Sequence, residues 1–260
     1  MKHVRAKKHL GQHFLKDIEI AQKIVGSLHG HQNYVNLIEI GPGTGVLSDI
    51  LIKENKYQTI FMDVDRESIA YLKDKHAELS HQFVLADFLH QQLDKFFEKP
   101  FGVIGNFPYN ISSQIFFKIL EYRNQVPEVL GMIQKEVAER IAAAPGNKTY
   151  GILSVLLGAF YDIEYLFSVP PSVFVPPPRV TSAVIRLKRN SVKTLDCDEK
   201  LFFSTVKQGF NNRRKTLRNA LKPMGLSDEI KALSILDKRA EQLSVAQFVD
   251  LTKAISSGNH

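Results

Sequence analysis

The chain of 260 residues has almost no cysteine, no long apolar run and no zinc-type spacing of cysteine and histidine. Its single cysteine, Cys197, cannot form a disulfide within the chain, which fits a reducing compartment. No apolar stretch approaches the roughly 18 residues that a membrane span needs, and the basic start is not followed by the apolar segment of a signal peptide. The composition therefore predicts a cytoplasmic protein without export, membrane span or structural metal.

Acidic residues are missing from two segments that are rich in lysine and arginine. Residues 1–16 contain five basic residues and residues 200–227 contain seven, whereas the rest of the chain has 22 basic and 27 acidic residues. The net charge of +7 therefore comes entirely from these two segments. An uneven solvated surface is one explanation, but two acid-free basic segments in one chain favour a protein that binds a polyanion.

Apolar runs alternate with helical patterns over the first 189 residues, which predicts a doubly wound α/β domain with a mostly parallel sheet. The predicted strands are 34–40, 59–64, 82–86, 101–105, 129–133, 162–169 and 181–189. The predicted helices are 67–77, 112–120 with Ser112 as N-cap, 136–143 and 151–160. After residue 190 the strand patterns stop, and 200–221, 227–236 and 245–255 have helical periodicity. We therefore expect one domain over 1–189, with a basic N-terminal arm, and a small helical domain over 190–260.

The first long predicted strand ends in a glycine-rich loop, Glu39-Ile-Gly-Pro-Gly-Thr-Gly45. Gly41, Gly43 and Gly45 would let the backbone approach a ligand where a Cβ would clash, and the next helix would present unpaired N–H groups to it. The spacing differs from the G-x-G-x-x-G pattern of dinucleotide-binding proteins. It looks like the E-x-G-x-G-x-G loop of class I methyltransferases.

Two further predicted strands end in aspartates. Asp63 lies 20 residues after Gly43, where its carboxylate could accept hydrogen bonds from both ribose hydroxyls of a nucleotide cofactor. Asp65 is the alternative acceptor. Asp87 follows the third strand and could accept a hydrogen bond from the adenine amino group of the cofactor. A structural role as turn or cap residue is the alternative for each aspartate alone.

The fourth strand leads into Asn106-Phe-Pro-Tyr109, which we interpret as the catalytic turn. An exocyclic amine on a purine is a poor nucleophile, and two acceptors aimed at its N–H bonds would localise its lone pair. The acceptors would be Asn106 Oδ1 and the backbone carbonyl of residue 106 or 107, brought together because Pro108 restricts the chain. Tyr109 would supply a face on which the base stacks.

Three motifs together identify a resemblance: Gly11-Gln-His-Phe-Leu15, the glycine loop, and Gly105-Asn-Phe-Pro-Tyr-Asn110. With them the chain resembles the rRNA adenine dimethyltransferases, from about residue 8 to residue 254. That family has a small-subunit branch and an erythromycin-resistance branch that acts on large-subunit rRNA. Segments 134–136, 169–184 and 210–219 look like the small-subunit branch.

The resemblance implies a Rossmann-like class I methyltransferase that uses S-adenosylmethionine and has a small all-helical C-terminal domain. It implies dimethylation of N6 of two adjacent adenines near the 3′ end of small-subunit (16S) rRNA, on an immature 30S subunit. We expect the protein to be a monomer. By matching positions, the arm and the strand ends would contact the cofactor through His13, Leu15, Gly41, Asp63, Asp87 and Asn106. Phe174, in the proline-rich segment, would stack on the target base opposite Tyr109.

The second basic segment suggests where the RNA would bind. If 207–222 is one helix, Arg214, Arg218 and Lys222 are spaced four residues apart and form a basic face, although a merely solvated face is the alternative. Such phosphate contacts would position the RNA without reading its bases. The expected RNA-binding residues are Arg213, Arg214, Lys215, Arg218 and Lys222.

Three other functions compete with this interpretation. One is a large-subunit rRNA adenine N6-methyltransferase of the erythromycin-resistance type. Another is a ribosome-assembly binding factor whose catalysis is dispensable. A nicotinamide-dependent dehydrogenase is disfavoured by the glycine spacing.

Overall fold

A computed structural model describes residues 4–258. The strands are β1 (Phe14–Leu15), β2 (Asn36–Ile40), β3 (Gln58–Asp63), β4 (Phe83–Leu85), β5 (Phe101–Asn106), β6 (Glu128–Gln134), β7 (Tyr161–Val169), β8 (Phe174–Val175) and β9 (Ser182–Arg189). The helices are α1 (Ile18–Val25), α2 (Val46–Glu54), α3 (Arg66–Lys75), α4 (Ser112–Glu121), α5 (Lys135–Ile141), α6 (Ile152–Gly158), α7 (Glu199–Asn211), α8 (Leu217–Ala220), α9 (Asp228–Lys231) and α10 (Val245–Gly258).

Seven strands form one sheet in the order β4-β3-β2-β5-β6-β9-β7, and β1 pairs with β8 in a separate ribbon. The strands from β4 to β6 are parallel, whereas β9 runs antiparallel to β6. The chain builds outward from β2 to β4 and then crosses back to β5, so β2 and β5 are neighbours at the point where the strand order reverses. Ligands of such sheets bind at the carboxyl ends of the strands that flank this point.

Burial explains why the central strands are recognisable as apolar runs. All five residues of β2 and the first five of β5 are buried, as expected for parallel strands that are covered on both faces. Helix α1, whose apolar positions Ala21, Ile24 and Val25 are buried, belongs to the same core as Leu37 of β2. The α/β architecture predicted from the sequence is the one observed.

Helix α4 starts differently from the prediction. Ser112 is its first helical residue and Ile111 occupies the N-cap position, so the predicted N-cap was wrong. The Ser112 hydroxyl donates a hydrogen bond to the carbonyl of Tyr109 at 3.3 Å. The side chain therefore ties the helix to the preceding turn.

The chain divides into two compact units. The first contains the residues up to Ala138 together with Ile163–Arg189, and the second contains Glu139–Asp162 together with the residues from Asn190 onward. The chain thus changes unit between residues 189 and 190, at the boundary expected from the sequence. Segment 139–162 belongs to the second unit, whereas the sequence pattern predicts it in the first.

Candidate functional site

The glycine loop between β2 and α2 adopts a conformation that favours glycine. Gly41, Gly43 and Gly45 have φ angles of 67°, 56° and 86°, in the left-handed region. At Gly43 the space is also restricted, because a Cβ there would lie 2.8 Å from the ring of Phe14. The arm residue Phe14 thus packs directly on the loop, and no larger residue than glycine fits between them.

Asp63 faces this loop from the end of β3. Its Oδ2 accepts a hydrogen bond from the Gly43 N–H at 3.2 Å, and its Oδ1 accepts one from the Asp65 N–H at 2.9 Å. Burial raises the pKa of Asp63 above its ordinary value, and the two backbone N–H groups oppose that rise. The carboxylate is therefore held in place at the wall of the crevice, with lone pairs left for a ligand.

Asp65 has a different role from the one considered for it. It caps α3 by accepting a hydrogen bond from the Glu67 N–H at 3.0 Å, and it also accepts hydrogen bonds from Lys7 Nζ at 2.6 Å and Gln12 Nε2 at 3.0 Å. Burial alone would raise the pKa of Asp65, but the hydrogen bonds from Lys7 and Gln12 lower it below its ordinary value. Both oxygens are occupied in fastening the N-terminal arm, so Asp63 is the acid that faces the crevice.

The Asn106–Tyr109 turn follows directly from β5. The Phe107 N–H donates to the Met132 carbonyl at 3.0 Å, and the Phe107 ring is buried where a Cβ on Gly131 would come within 2.6 Å of it. The chain then turns, because the Pro108 carbonyl accepts a hydrogen bond from the Ile111 N–H at 3.1 Å. The buried Phe107 ring thus holds the turn against the sheet.

The catalytic turn lies beside the glycine loop, as the interpretation requires. The Asn106 carbonyl oxygen is 3.7 Å from the position that a Cβ on Gly41 would occupy. Both segments line one crevice of about 450 Å³ including its mouth, together with Asp63. The remaining lining comes from Val64 and from the arm, residues 10–14.

His13 connects three parts of this site. Its carbonyl accepts a hydrogen bond from Asn106 Nδ2 at 2.8 Å, and its ring stacks on Tyr109 with centroids 5.5 Å apart. The ring Nδ1 donates to the Pro176 carbonyl at 2.8 Å, in the proline-rich segment. The arm, the catalytic turn and the proline-rich segment are therefore held together by one residue.

Phe174 does not lie where the resemblance predicts. In β8 it pairs with Leu15 of β1, and its side chain, only 1% exposed, belongs to the hydrophobic core. Successive side chains of a strand point to opposite faces, so the neighbouring Val175 is 53% exposed while Phe174 is buried. The ring stacked on Tyr109 is instead that of His13.

Asp87 and Leu15 differ in their relation to the crevice. Leu15 lines a smaller cavity that adjoins Gly41 and Asn106. Asp87 caps a short 3₁₀ turn by accepting a hydrogen bond from the Leu89 N–H at 2.9 Å, and it contacts His90 Nδ1 at 2.7 Å. Its side chain remains 39% exposed, so it can accept a further hydrogen bond.

Several residues of the site escape prediction from the sequence. The hydroxyl of Ser182 lies 2.5 Å from that of Tyr109, and Lys7 and Gln12 fasten the arm to Asp65. Gln12 lies inside a recognised motif, which is a usable signal. Ser182 likewise lies inside segment 169–184, which resembles the small-subunit branch. No local pattern marks Lys7, because its partner is 58 positions away in the sequence.

The basic segment of the second unit is not one helix. Helix α7 ends at Asn211, the chain turns, and α8 begins only at Leu217, whose N–H donates to the Lys238 carbonyl at 2.8 Å. The predicted face with Arg214, Arg218 and Lys222 at helical spacing was therefore wrong. The reason is tertiary, since Leu217 is drawn into the core of the unit.

The five basic residues of this segment also differ in their contacts. Arg218 donates to Asp237 Oδ1 through Nε at 2.9 Å and Nη2 at 2.6 Å, and Arg213 donates to the Tyr150 carbonyl at 3.0 Å. Arg214, Lys215 and Lys222 are exposed, and none of the residues 4–258 pairs with them. Two arginines thus support the unit, while three cations remain available.

Neither a membrane span nor a metal cluster is found in the part of the chain that the structure describes. No helix within residues 4–258 is long and apolar enough to cross a membrane. Over the same residues, no group of three or more histidines, cysteines or acids could hold a metal ion.

Residues 3–257 match the family model of ribosomal RNA adenine dimethylase. The chain belongs to this family. A ribosomal RNA small subunit methyltransferase A of Cytophaga hutchinsonii is 59% identical over 98% of this chain and 99% of the relative. The protein of that name in Parabacteroides distasonis is 54% identical over 97% of this chain and 94% of the relative. The family predicted from the motifs is confirmed.

Solved structures share the fold. A dimethyladenosine transferase from Plasmodium falciparum matches 95% of this chain and 98% of its own, with a TM-score of 0.76 and 23% identity. The 23S rRNA methyltransferase ErmE matches 92% of this chain and 99% of its own, with a TM-score of 0.66 and 22% identity. These likenesses show that the predicted fold class is correct.

Proposed function

We propose that this protein dimethylates N6 of two adjacent adenines near the 3′ end of small-subunit rRNA in an immature subunit, using S-adenosylmethionine. The observation that carries this proposal is the position of the Asn106–Tyr109 turn beside the glycine loop in one crevice. The names of the relatives that are 59% and 54% identical support the choice of the small subunit.

The residues that line the crevice suit an adenosyl cofactor. Gly41 leaves room where a side chain would intrude, and Asp63 offers carboxylate oxygens to two neighbouring hydroxyls. Asp87, with its exposed side chain, is the proposed acceptor for an adenine amino group. S-adenosylmethionine supplies, when bound, a methyl group made electrophilic by a sulfonium.

Asn106 is the proposed acceptor for the amine of the target base. Because its Nδ2 donates to the His13 carbonyl, its Oδ1 points to a different side and remains an acceptor. An acceptor fixed in this way localises the lone pair of the amine and stabilises the positive charge that develops on nitrogen. Catalysis then depends on alignment and electrostatics, and the last proton can leave to water.

Tyr109 is the proposed stacking platform for the base. Its ring is held by the contact with His13 and by the hydroxyl of Ser182, so it needs no reordering when the base arrives. Stacking of a base on an aromatic ring contributes about 1–3 kcal/mol and does not depend on the identity of the base. The exposed cations Arg214, Lys215 and Lys222 are the proposed phosphate contacts of the second unit.

The decisive experiment maps methylated adenines in small subunits from cells that lack this activity, after treatment with the protein and labelled S-adenosylmethionine. We expect two adjacent dimethylated adenines, with no label in large-subunit RNA supplied alongside. Asn106→Ala should lose transfer while largely retaining cofactor binding, and Asn124→Ala, at an exposed position outside the site, is the control. Full activity of Asn106→Ala would remove the proposed role. Tight binding of the wild type without turnover would instead indicate an assembly factor.

A further inference from the structure

A second and larger cavity adjoins Tyr109 on the outer side of the arm. It encloses about 1260 Å³ including its mouth, against about 450 Å³ for the crevice. The two cavities share four lining residues, which are Gly11, Gln12, His13 and Tyr109. A nucleotide whose base reached the crevice past Tyr109 would therefore leave its sugar and phosphate in this second cavity.

The charges around the second cavity are of one sign. Lys8 of the arm and Arg179 of the proline-rich segment line it and are exposed. Neither has an ion-pair partner within residues 4–258, and the described residues that line the cavity include no carboxylate. This contrasts with Lys7, whose charge is neutralised by Asp65. The two cations are therefore available to an anion from outside the chain.

The rest of the lining limits what that anion can be. Pro176, Pro177 and Pro178 form an apolar wall without backbone N–H donors. The charged groups that can bind an anion here are therefore the two cations. Gln134, at the end of β6, adds one neutral amide. A compact anion attached to a less polar body, such as the phosphodiester and ribose of a nucleotide, matches this combination. An arginine fork and a lysine both suit phosphate oxygens.

We propose that this cavity binds the ribose-phosphate of the nucleotide whose base enters the crevice, and that Lys8 and Arg179 bind its phosphodiester. The inference rests on the proposed function, because it takes RNA as the substrate. Lys8 lies five positions before His13, and Arg179 lies three positions after Pro176, whose carbonyl accepts the His13 hydrogen bond. A phosphate bound by both cations would thus contact the arm and the proline-rich segment, which His13 also connects.

The test uses the full chain with small subunits that carry unmethylated rRNA, and it measures binding at several salt concentrations. Each phosphate contact contributes a slope of about 0.7–0.9 to the dependence of log K on log salt concentration. Because both cations are assigned to one phosphate, the double variant Lys8→Met/Arg179→Met should lower the slope by about that amount, and each single variant should weaken binding by roughly 3- to 10-fold at low salt. The affinity for S-adenosylmethionine should not change. Lys53→Met is the control, because Lys53 is an exposed cation outside the cavity lining and outside both basic segments.

A second measurement locates the phosphate. An RNA hairpin with two adjacent loop adenosines is prepared with a neutral methylphosphonate on the 5′ side of the target adenosine. If the inference is right, Arg179→Met weakens binding of the normal hairpin but adds nothing to the loss caused by the neutral linkage. Additive losses, or a slope of the double variant equal to that of Lys53→Met, would overturn it. A wild-type protein that binds subunits with a steep slope but transfers no methyl group would refute the proposed function alone.

Discussion

Glu39, in the strand that leads to the glycine loop, is predicted to make the stability of this protein depend on pH. Its side chain is 1% exposed and accepts a hydrogen bond from the Ser48 hydroxyl at 2.8 Å. Burial raises its pKa from 4.5 to about 8; the Ser48 hydrogen bond lowers it in part, and the charges of Asp63 and Asp49 raise it further. The folded protein therefore keeps a proton at neutral pH that the unfolded chain releases.

The sign and size of the effect follow from linkage. A raised pKa in the folded state gives a contribution that is fully present below pH 4.5 and is lost as the pH rises to about 8. At about 1.4 kcal/mol per pH unit, the free energy of unfolding should lose several kcal/mol over this range. Above the pKa of the folded state the loss stops, because both states are then ionised.

The perturbation is Glu39→Gln, since an amide keeps an acceptor for Ser48 and carries no titrating proton. Urea unfolding of wild type and variant, followed at matched pH from about 5 to about 9, gives the difference in free energy of unfolding. As the pH rises, that difference should shift in favour of the variant by about 1.4 kcal/mol per pH unit. It should become constant above about pH 8. Glu78→Gln, at an exposed position, should show no such trend. A difference that is independent of pH for Glu39→Gln would refute the reasoning.

Three further predictions concern the arm, the Asn106–Tyr109 turn and the glycine loop. Lys7→Met removes the ion pair with Asp65, so the affinity for S-adenosylmethionine should fall several-fold and amide exchange in the arm should accelerate; unchanged exchange would contradict the fastening role. Ser182→Ala should lower kcat with little change in cofactor affinity, and it should lower the free energy of unfolding by about 1 kcal/mol. Because both substitutions remove the same hydrogen bond, the kcat of the double variant Ser182→Ala/Tyr109→Phe should be no lower than that of Tyr109→Phe alone. Gly43→Ala should destabilise the protein by about 1–2 kcal/mol and weaken cofactor binding, measured by thermal unfolding and titration, because its φ is 56°; wild-type values would contradict this.

The local features of the site are predictable from the sequence because their causes act over a few residues. Glycines in a loop, a proline after a strand and apolar runs of strand length each restrict the backbone on their own. Parallel order then places the ends of β2, β3 and β5 at one edge, so the sequence alone assigns the glycine loop, Asp63 and Asn106 to one crevice.

Long-range contacts cannot be predicted in this way. Asp65 has the same local signature as a ribose-binding acid, and only the fold brings Lys7 and Gln12 to it from 58 and 53 positions away. The side chain of Phe174 could point to either face of its strand, and the pairing of β1 with β8 decides that it is buried. The strand partner therefore matters more here than the residue type.

The residues alone were enough to predict the family and the order along the chain of the seven strands in the main sheet. Which basic side chains have partners within residues 4–258 depends on the tertiary structure. Charge counts treat Arg213, Arg214 and Arg218 alike, but Arg218 is committed to Asp237 and Arg213 to a backbone carbonyl, whereas Arg214 is exposed. The physical reason is that a helix continues or ends according to what its side chains can bury, and here α7 stops before Leu217, which is buried in the core of the second unit.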